Sequence, residues 1–320
     1  MLAAGSPIVS FEFFPPKNEI GFSRLFDTIE ALRPLDPSFV SVTYGAGGTT
    51  RRKTVELVQR IRNEVGIESM AHLTCVGAAR PELAAVLDRL ELGGMENVLP
   101  LRGDPPRGSN RFEPVPGGFR YASDLVSFIR GRYQFCLGGA CYPETHPEAA
   151  SPEADLEHLK IKVEAGAEFL ITQLFFDNGD FLRFRDRAVA IGIDVPILAG
   201  IMPIRSLKQI QRFASMCGAS IPRDLLRRMD AVRDDSSAIR RIGIEHATLQ
   251  CRSLLRERVA GLHFYTLNHS TATQAIYSDI RGLLAAPEVP SPLRRPGIPS
   301  SGGPEEGLRG SPPRQPWTRS

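Results

Sequence analysis

Residues 39–65 read FVSVTYGAGGTTRRKTVELVQRIRNEV, and this stretch decides the fold. FVSVTY (39–44) is a short run of β-branched and aromatic residues, the composition of a strand. KTVELVQRIRNEV (53–65) spaces its apolar residues three and four apart, which gives a helix one buried face. The glycine-rich connection between them lacks the third glycine of G-x-G-x-x-G at its offset. It also lacks the G-K-[ST] ending of a phosphate loop, so it reads as a tight loop rather than a nucleotide fingerprint. The unit is strand, loop, helix.

The same unit recurs in both directions. Strand-like runs occur at PIVSFEFF (7–14), SMAHLTC (69–75), NVLPLRG (97–103), FCLGGACY (135–142), FLITQLFF (169–176), VPILAGIM (195–202) and GLHFYTL (261–267). Amphipathic stretches follow them at 22–33, 80–93, 121–132, 153–166, 179–191 and 271–284. Alternating strands and helices imply parallel pairing through helical crossovers. Eight units within residues 1–286 predict an α/β protein, a (β/α)8 TIM barrel. A doubly wound open sheet is the runner-up, disfavoured by the missing fingerprint. The long interval between strands seven and eight predicts a barrel helix at 206–216 and extra helices near 222–232 and 236–258.

Composition sets the class. Hydrophobic residues make up 42% and charged residues 23%, the balance of a soluble globular protein. No apolar run is long enough to span a membrane, and the N-terminus has no basic segment followed by an apolar one, so a cytoplasmic protein is expected. The net charge is +3, of which residues 287–320 carry +2 (five Arg, three Glu), so no basic face is forced on the barrel and nucleic acid is not an expected partner. Those same residues hold nine of the 26 prolines and predict a disordered Pro/Gly/Ser/Arg-rich tail. Five cysteines without C-x-x-C spacing predict free thiols.

A barrel of this type carries its chemistry at the C-terminal ends of its strands. Those ends deliver Glu12, Thr43, His72, Arg102 with Asp104, Tyr142 with Glu144 and His146, Gln173, and Tyr265 with Asn268 and His269. Alternation along strand one places Ser10, Glu12 and Phe14 on one face and Val9, Phe11 and Phe13 on the other. In a closed barrel Glu12 points either into the apolar helix layer or into the barrel, and the barrel interior is expected. Desolvation there favours the protonated carboxyl, which suits a general acid at neutral pH. The competing reading pairs Glu12 with a nearby Arg or Lys. Asp104 supplies a second carboxylate for an electrostatic role. No H-x-x-x-H or similar spacing points to a metal.

SFEFFPPK, VSVTYGAGG, AHLTC, LRGDPP, YPETHPEA, ITQLFFD, GIMPI and HFYTLN, in order and one per strand over about residues 7–284, together resemble the methylenetetrahydrofolate reductases. That resemblance implies a flavoprotein on a (β/α)8 barrel. It implies FAD-dependent reduction of 5,10-methylenetetrahydrofolate to 5-methyltetrahydrofolate with NADH or NADPH as hydride donor, the two substrates taking turns at one flavin face in ping-pong order. By the same resemblance Glu12 is the general acid on the folate's bridging nitrogen, with Phe11, Phe13, Phe14 and the prolines excluding water. Asp104 sits by flavin and pterin. Gln173, Gln209, Phe213 and His269 bind substrate. Thr43, Tyr44, Ala46, His72, Arg102, Gly103, Tyr121, Ala122, Tyr142, His146, Ala149, Asp155, His158 and Lys162 fall at FAD contacts, with Arg102, His146 and Lys162 offsetting the pyrophosphate. A homo-oligomer is expected.

The chain departs from the family pattern at three places. His269 stands where some members carry an arginine, Ile161 where a cation is found, and RRK (51–53) replaces a short RD, reading as a solvated helix start. The alternative function is a barrel lyase or aldolase using a metal or a Schiff-base lysine. It calls for a lysine within a strand or clustered ligands, and no proposed strand holds a lysine. A non-enzymatic scaffold is the third reading, and it predicts a colourless protein.

Overall fold

The computed structural model describes residues 6–44, 48–105 and 111–284, of which residues 48–50 are described by backbone alone. Ala46 and the tail at 287–320 lie outside the described residues. Eight strands run β1 (Ile8–Phe13), β2 (Phe39–Val42), β3 (Ser69–Thr74), β4 (Asn97–Leu101), β5 (Cys136–Cys141), β6 (Phe169–Thr172), β7 (Ile197–Ile201) and β8 (Gly261–Tyr265). They close in sequence order into a parallel barrel, β8 pairing back onto β1. The helices are α1 (Glu19–Leu32), α2 (Gly48–Arg60), α3 (Arg80–Leu92), α4 (Ala122–Arg130), α5 (Pro152–Glu164), α6 (Asn178–Ala190), α7 (Leu207–Cys217), α8 (Arg223–Asp230), α9 (Ser236–Arg256) and α10 (Thr271–Leu284). This is the (β/α)8 barrel, with α8 and α9 added between strands seven and eight. Among the described residues no helix is long and apolar enough to cross a membrane.

Strand alternation separates two cores. Residues facing the helices, among them Val9, Phe11, Phe13, Val40 and Val42, join the large apolar cluster beneath the helical ring. Inside the barrel a smaller cluster of Ile8, Phe39, Met70, Leu99, Phe169, Ile171 and Leu198 fills one end. Further along β1, β2, β3 and β8 the interior turns polar: Ser10, Ser41 and His263 are fully buried and His72 nearly so. Closed packing below and polar groups above put the chemistry at the strand tips.

The predicted runs overshoot the strands at their C-terminal ends, most of all in FLITQLFF. β6 stops at Thr172 because the backbone beyond it is claimed from elsewhere. The Gln173 side chain accepts from the Leu174 N–H (2.9 Å), and Gln250 and His246 of α9 hold the Phe175 and Phe176 carbonyls (3.0 Å each). Gln173 is therefore the first residue after its strand, not part of it. Helix α2 ends in a π turn, Ile61–Val65, closed by Gly66 at φ +77°.

The reading of RRK as a solvated helix start fails for Arg51. Its guanidinium donates to Gly77 O (2.6 Å) and Val76 O (3.3 Å) and pairs with Glu82 (3.6 Å), tying α2 to the loop after β3. Arg52 alone fits that reading, with a 70% exposed side chain on Glu56.

Candidate active site

Glu12 lies in the polar upper layer of the barrel, in register with Ser41 of β2 on one side and Tyr265 of β8 on the other. Its carboxylate is 19% exposed and stands 3.5 Å from His263 Nε2 and 3.6 Å from His72 Nε2. These two imidazoles are its only ion-pair neighbours among the described residues, and no Arg or Lys reaches it. Burial pushes His72 down to about 4, so it is neutral at neutral pH, and its Nε2 has no hydrogen-bond partner. His263 is held from behind by Ser10, whose Oγ lies 2.8 Å from Nδ1. The competing pairing with an Arg or Lys is absent among the described residues, and the carboxyl faces the ring nitrogens of His263 and His72 instead.

The phenylalanines do not enclose the acid as expected. Phe11 and Phe13 point the other way into the helix layer, and Phe14 is 42% exposed. Glu12 is positioned instead by β8 and the turn after it. Thr266 Oγ1 donates to the Glu12 carbonyl (2.6 Å), and the Asn268 amide clasps Phe14, accepting from its N–H (3.0 Å) and donating to its carbonyl (2.9 Å). Leu267 and Asn268 reach this clasp through consecutive left-handed conformations (φ 53° and 57°), a strained turn that the clasp holds in place. Tyr265 extends its hydroxyl to Thr172 O (2.6 Å) across Gly200, where a methyl would lie 2.3 Å from that same oxygen.

The remaining predicted residues form two arcs around Glu12. Over β2–β5, Thr43 accepts at its carbonyl from Thr54 Oγ1 (3.0 Å), and the Tyr44 hydroxyl is buried without a partner and pushed up by burial to about 12. Gly103 follows β4 at φ +85°, where a side chain would meet Val76 Cγ1 at 2.8 Å, and Asp104 beside it is exposed. Arg102 is paired bidentately with Glu148 (2.7 Å twice), so its charge is already matched. The Tyr142 and His146 rings meet edge-on at 4.6 Å, and burial raises the Tyr142 phenol far above its ordinary value. The His146 N–H donates to Asp155 (2.8 Å), and the Ala149 N–H to His146 O (2.9 Å). Tyr121, ahead of Ala122 at the start of α4, stacks on His158 of α5 (6.5 Å between centroids). Lys162, one turn along α5 from His158, is half-buried and donates to Ala140 O (2.6 Å). Burial pushes its ammonium down.

The second arc lies over β6–β8. Gln173 follows β6, and Gln209 and Phe213 stand one turn apart on α7, with Gln209 Oε1 buried and unpartnered. His269 is exposed beyond β8. Glu144 joins the arcs, accepting from the Ser220 N–H beyond α7 with both oxygens (3.0 and 2.8 Å). Glu12, on the strand between β8 and β2, stands at the other seam. A shallow groove between α2 and α3, lined by Arg52, Val55, Glu56, Gln59, Arg89 and Leu92, belongs to the outer helix layer and has no part in this arrangement.

Sequence reading passed over Ser10 and His263 as functional residues. The signal was present: His263 precedes Tyr265 by two positions and so shares its face, and the barrel brings it level with Ser10. Among the described residues no cluster of three His, Cys, Asp or Glu side chains forms a metal site.

The fold and site define a barrel protein with a carboxyl group held between two imidazoles at the C-terminal ends of its strands. The family model described as methylenetetrahydrofolate reductase matches residues 1–281. A methylenetetrahydrofolate reductase (NADH) 1 of Arabidopsis thaliana is 40% identical over 305 residues, covering 91% of this chain and 51% of its own length. The 5,10-methylenetetrahydrofolate reductase of Escherichia coli K12 is 42% identical over 268 residues, covering 84% of this chain and 88% of its own. This chain belongs to the methylenetetrahydrofolate reductase family. It spans about half the length of the plant relatives it matches. A solved Clostridium thermocellum protein, described as binding two copies of 5-methyl-5,6,7,8-tetrahydrofolic acid, shares the barrel at a TM-score of 0.62 and 15% identity, covering 87% of this chain and 96% of its own.

Proposed function

We propose that this protein reduces 5,10-methylenetetrahydrofolate to 5-methyltetrahydrofolate with a hydride from NADH or NADPH, using bound FAD and Glu12 as general acid. The observation that carries the reading is the setting of Glu12. It is a largely buried carboxyl at the strand tips whose only ion-pair neighbours among the described residues are the imidazoles of His72, held neutral by burial, and His263, with no Arg or Lys beside it. Family membership supports the substrate and the nicotinamide donor.

The β2–β5 arc fits FAD. Among the described residues the buried Tyr44 and Thr74 hydroxyls lack partners. Arg102, already paired with Glu148, and Lys162, bonded to Ala140 O, would turn to the phosphates as donors only by giving up those partners, and His146 would add a ring nitrogen. Thr43, Tyr44, His72, Gly103, Tyr121, Ala122, Tyr142, Ala149, Asp155 and His158 complete the set that would hold it. When bound, FAD supplies a hydride carrier, reduced by the nicotinamide and oxidised by the folate in turn at one face.

The protein's own residues do the rest. Ser10 fixes the His263 ring so that Nε2 faces Glu12, and Thr266 fixes the Glu12 backbone. Glu12 gives its proton to the bridging nitrogen of the folate, which opens the five-membered ring to an electrophilic iminium. Gln173 offers a donor and an acceptor, so it can hold either the pterin edge or a nicotinamide amide. Asp104 contributes negative charge at the pterin, and Phe213 and Gln209 line the substrate side.

The test is the visible spectrum of the purified protein before and after anaerobic NADH, followed by methylenetetrahydrofolate. The proposal expects a yellow protein that bleaches and then regains its colour on adding the folate. A protein that stays colourless with added FAD overturns it.

A further inference from the structure

Glu144 has no part in the chemistry above, yet its half-buried carboxylate is committed to one backbone group. Both oxygens accept from the Ser220 N–H (3.0 and 2.8 Å), and among the described residues no Arg or Lys pairs with it. Burial pushes the carboxyl up from its ordinary range, and the charges of Asp180 and Asp177 add to that, against the hydrogen bonding of Ser220. A carboxylate kept in such a setting marks a contact that the fold holds at a cost.

The backbone beside it is strained. Thr145 adopts φ 90°, a conformation that a β-branched residue rarely takes. Its two neighbours serve different arcs. Glu144 reaches the segment beyond α7, while His146 meets Tyr142 edge-on at 4.6 Å and gives its N–H to Asp155 of α5 (2.8 Å). Strain of this kind persists where the surrounding contacts over-determine it. A second contact lies next to the first: a methyl on Gly218, the cap of α7, would stand 3.2 Å from Pro147 Cγ.

The loop after β5 therefore grips the C-terminal end of α7 through Ser220 and Gly218. Along its length α7 is held by Ile210 and Ala214 in an apolar cluster, and apolar packing is non-directional. Its N-cap is local, Ser206 Oγ accepting from the Gln209 N–H (3.2 Å). The bond from Glu144 is directional and comes from another strand's loop. We propose that Glu144 is a positioning residue that stations α7 against the flavin-side loop, so that Gln209 and Phe213 meet the substrate in a fixed place. The inference rests on the reading of those two residues as substrate-binding and adds what holds them.

The test compares the FAD-loaded full chain as wild type, Glu144→Ala and Glu144→Gln. Amide hydrogen exchange is followed over residues 207–222 and over α5, with flavin content and the affinity for 5-methyltetrahydrofolate measured on the same samples. In Glu144→Ala, exchange over 207–222 is expected to rise while α5 keeps its wild-type rates. Folate affinity falls about tenfold, the scale of one hydrogen bond to a charged group, and flavin content is kept. Glu144→Gln, whose amide oxygen can still accept from Ser220, lies between. A merely structural role would raise exchange across the barrel and lose flavin and folate together, and that result overturns the inference. Glu144→Gln no better than Glu144→Ala overturns it too. Unchanged exchange over 207–222, or unchanged folate affinity in Glu144→Ala, overturns it and spares the folate reading. A wild type that binds no folate overturns both.

Discussion

Gly200→Ala is the sharpest test of how the barrel tip is built. The added methyl would sit 2.3 Å from Thr172 O and 2.8 Å from Tyr265 Cε2, both far inside contact distance. Thr172 O belongs to the backbone of β6 and cannot retreat without breaking strand pairing, so the Tyr265 ring has to swing away. Its 2.6 Å hydrogen bond to Thr172 O is then lost, leaving a phenol without that partner in a part-buried site. Overpacking of this kind costs about 1–3 kcal/mol. The lost hydrogen bond adds about 1 kcal/mol. Together that is about 2–4 kcal/mol, which at roughly 2–4 °C per kcal/mol for a large domain lowers the melting midpoint by about 5–15 °C. Tyr265 is in register with Glu12, so folate turnover falls as well. Differential scanning fluorimetry reads the midpoint, with Tyr265→Phe as the control that removes only the hydroxyl and costs about 1 kcal/mol. A Gly200→Ala protein melting within about 2 °C of wild type, against the drop scaled above, would refute the reasoning.

Two further predictions concern charge. His72 is neutral in the fold, with a pKa of about 4 against 6.5 when unfolded, so the unfolded chain binds the extra proton first as pH drops. Stability is complete above pH 6.5 and falls as pH descends towards 4, by up to about 3 kcal/mol at 1.36 kcal/mol per unit. Melting curves between pH 7.5 and pH 4.5 should therefore decline less steeply in His72→Gln, and parallel declines would clear His72 of the effect. Arg51→Ala removes the tie to Gly77 O and Val76 O and is expected to cost about 1–3 kcal/mol. Arg52→Ala breaks only an exposed pair and should stay within about 0.5 kcal/mol in the same denaturant titration. Equal losses would contradict the assignment of Arg51 as a clamp.

The repeated strand–loop–helix unit made the barrel legible from sequence, because period two and period 3.6 alternate cleanly along the chain. Strand ends were less legible. Hydrophobicity continues through Leu174, Phe175 and Phe176, and α9, distant in sequence, takes the carbonyls of Phe175 and Phe176 and ends the strand. The same limit explains Arg51: arginines 51 and 52 look alike in the sequence, and only the fold brings the loop after β3 under one of them. Glu12 was legible because alternation in a closed barrel leaves a strand carboxylate few places to go. Its surroundings were not. The phenylalanines beside it in sequence face the opposite layer, while the groups that touch it, His72 and His263, arrive from strands three and eight.

The central claim is that Glu12 supplies the proton for folate ring opening and takes no part in accepting hydride from the nicotinamide. Stopped-flow absorbance of Glu12→Gln measures both halves separately under anaerobic conditions. The account predicts that NADH bleaches the variant as it does wild type, while reoxidation by methylenetetrahydrofolate slows by about 10²–10⁴-fold, the range of a lost general acid. Reoxidation at a near wild-type rate would contradict it.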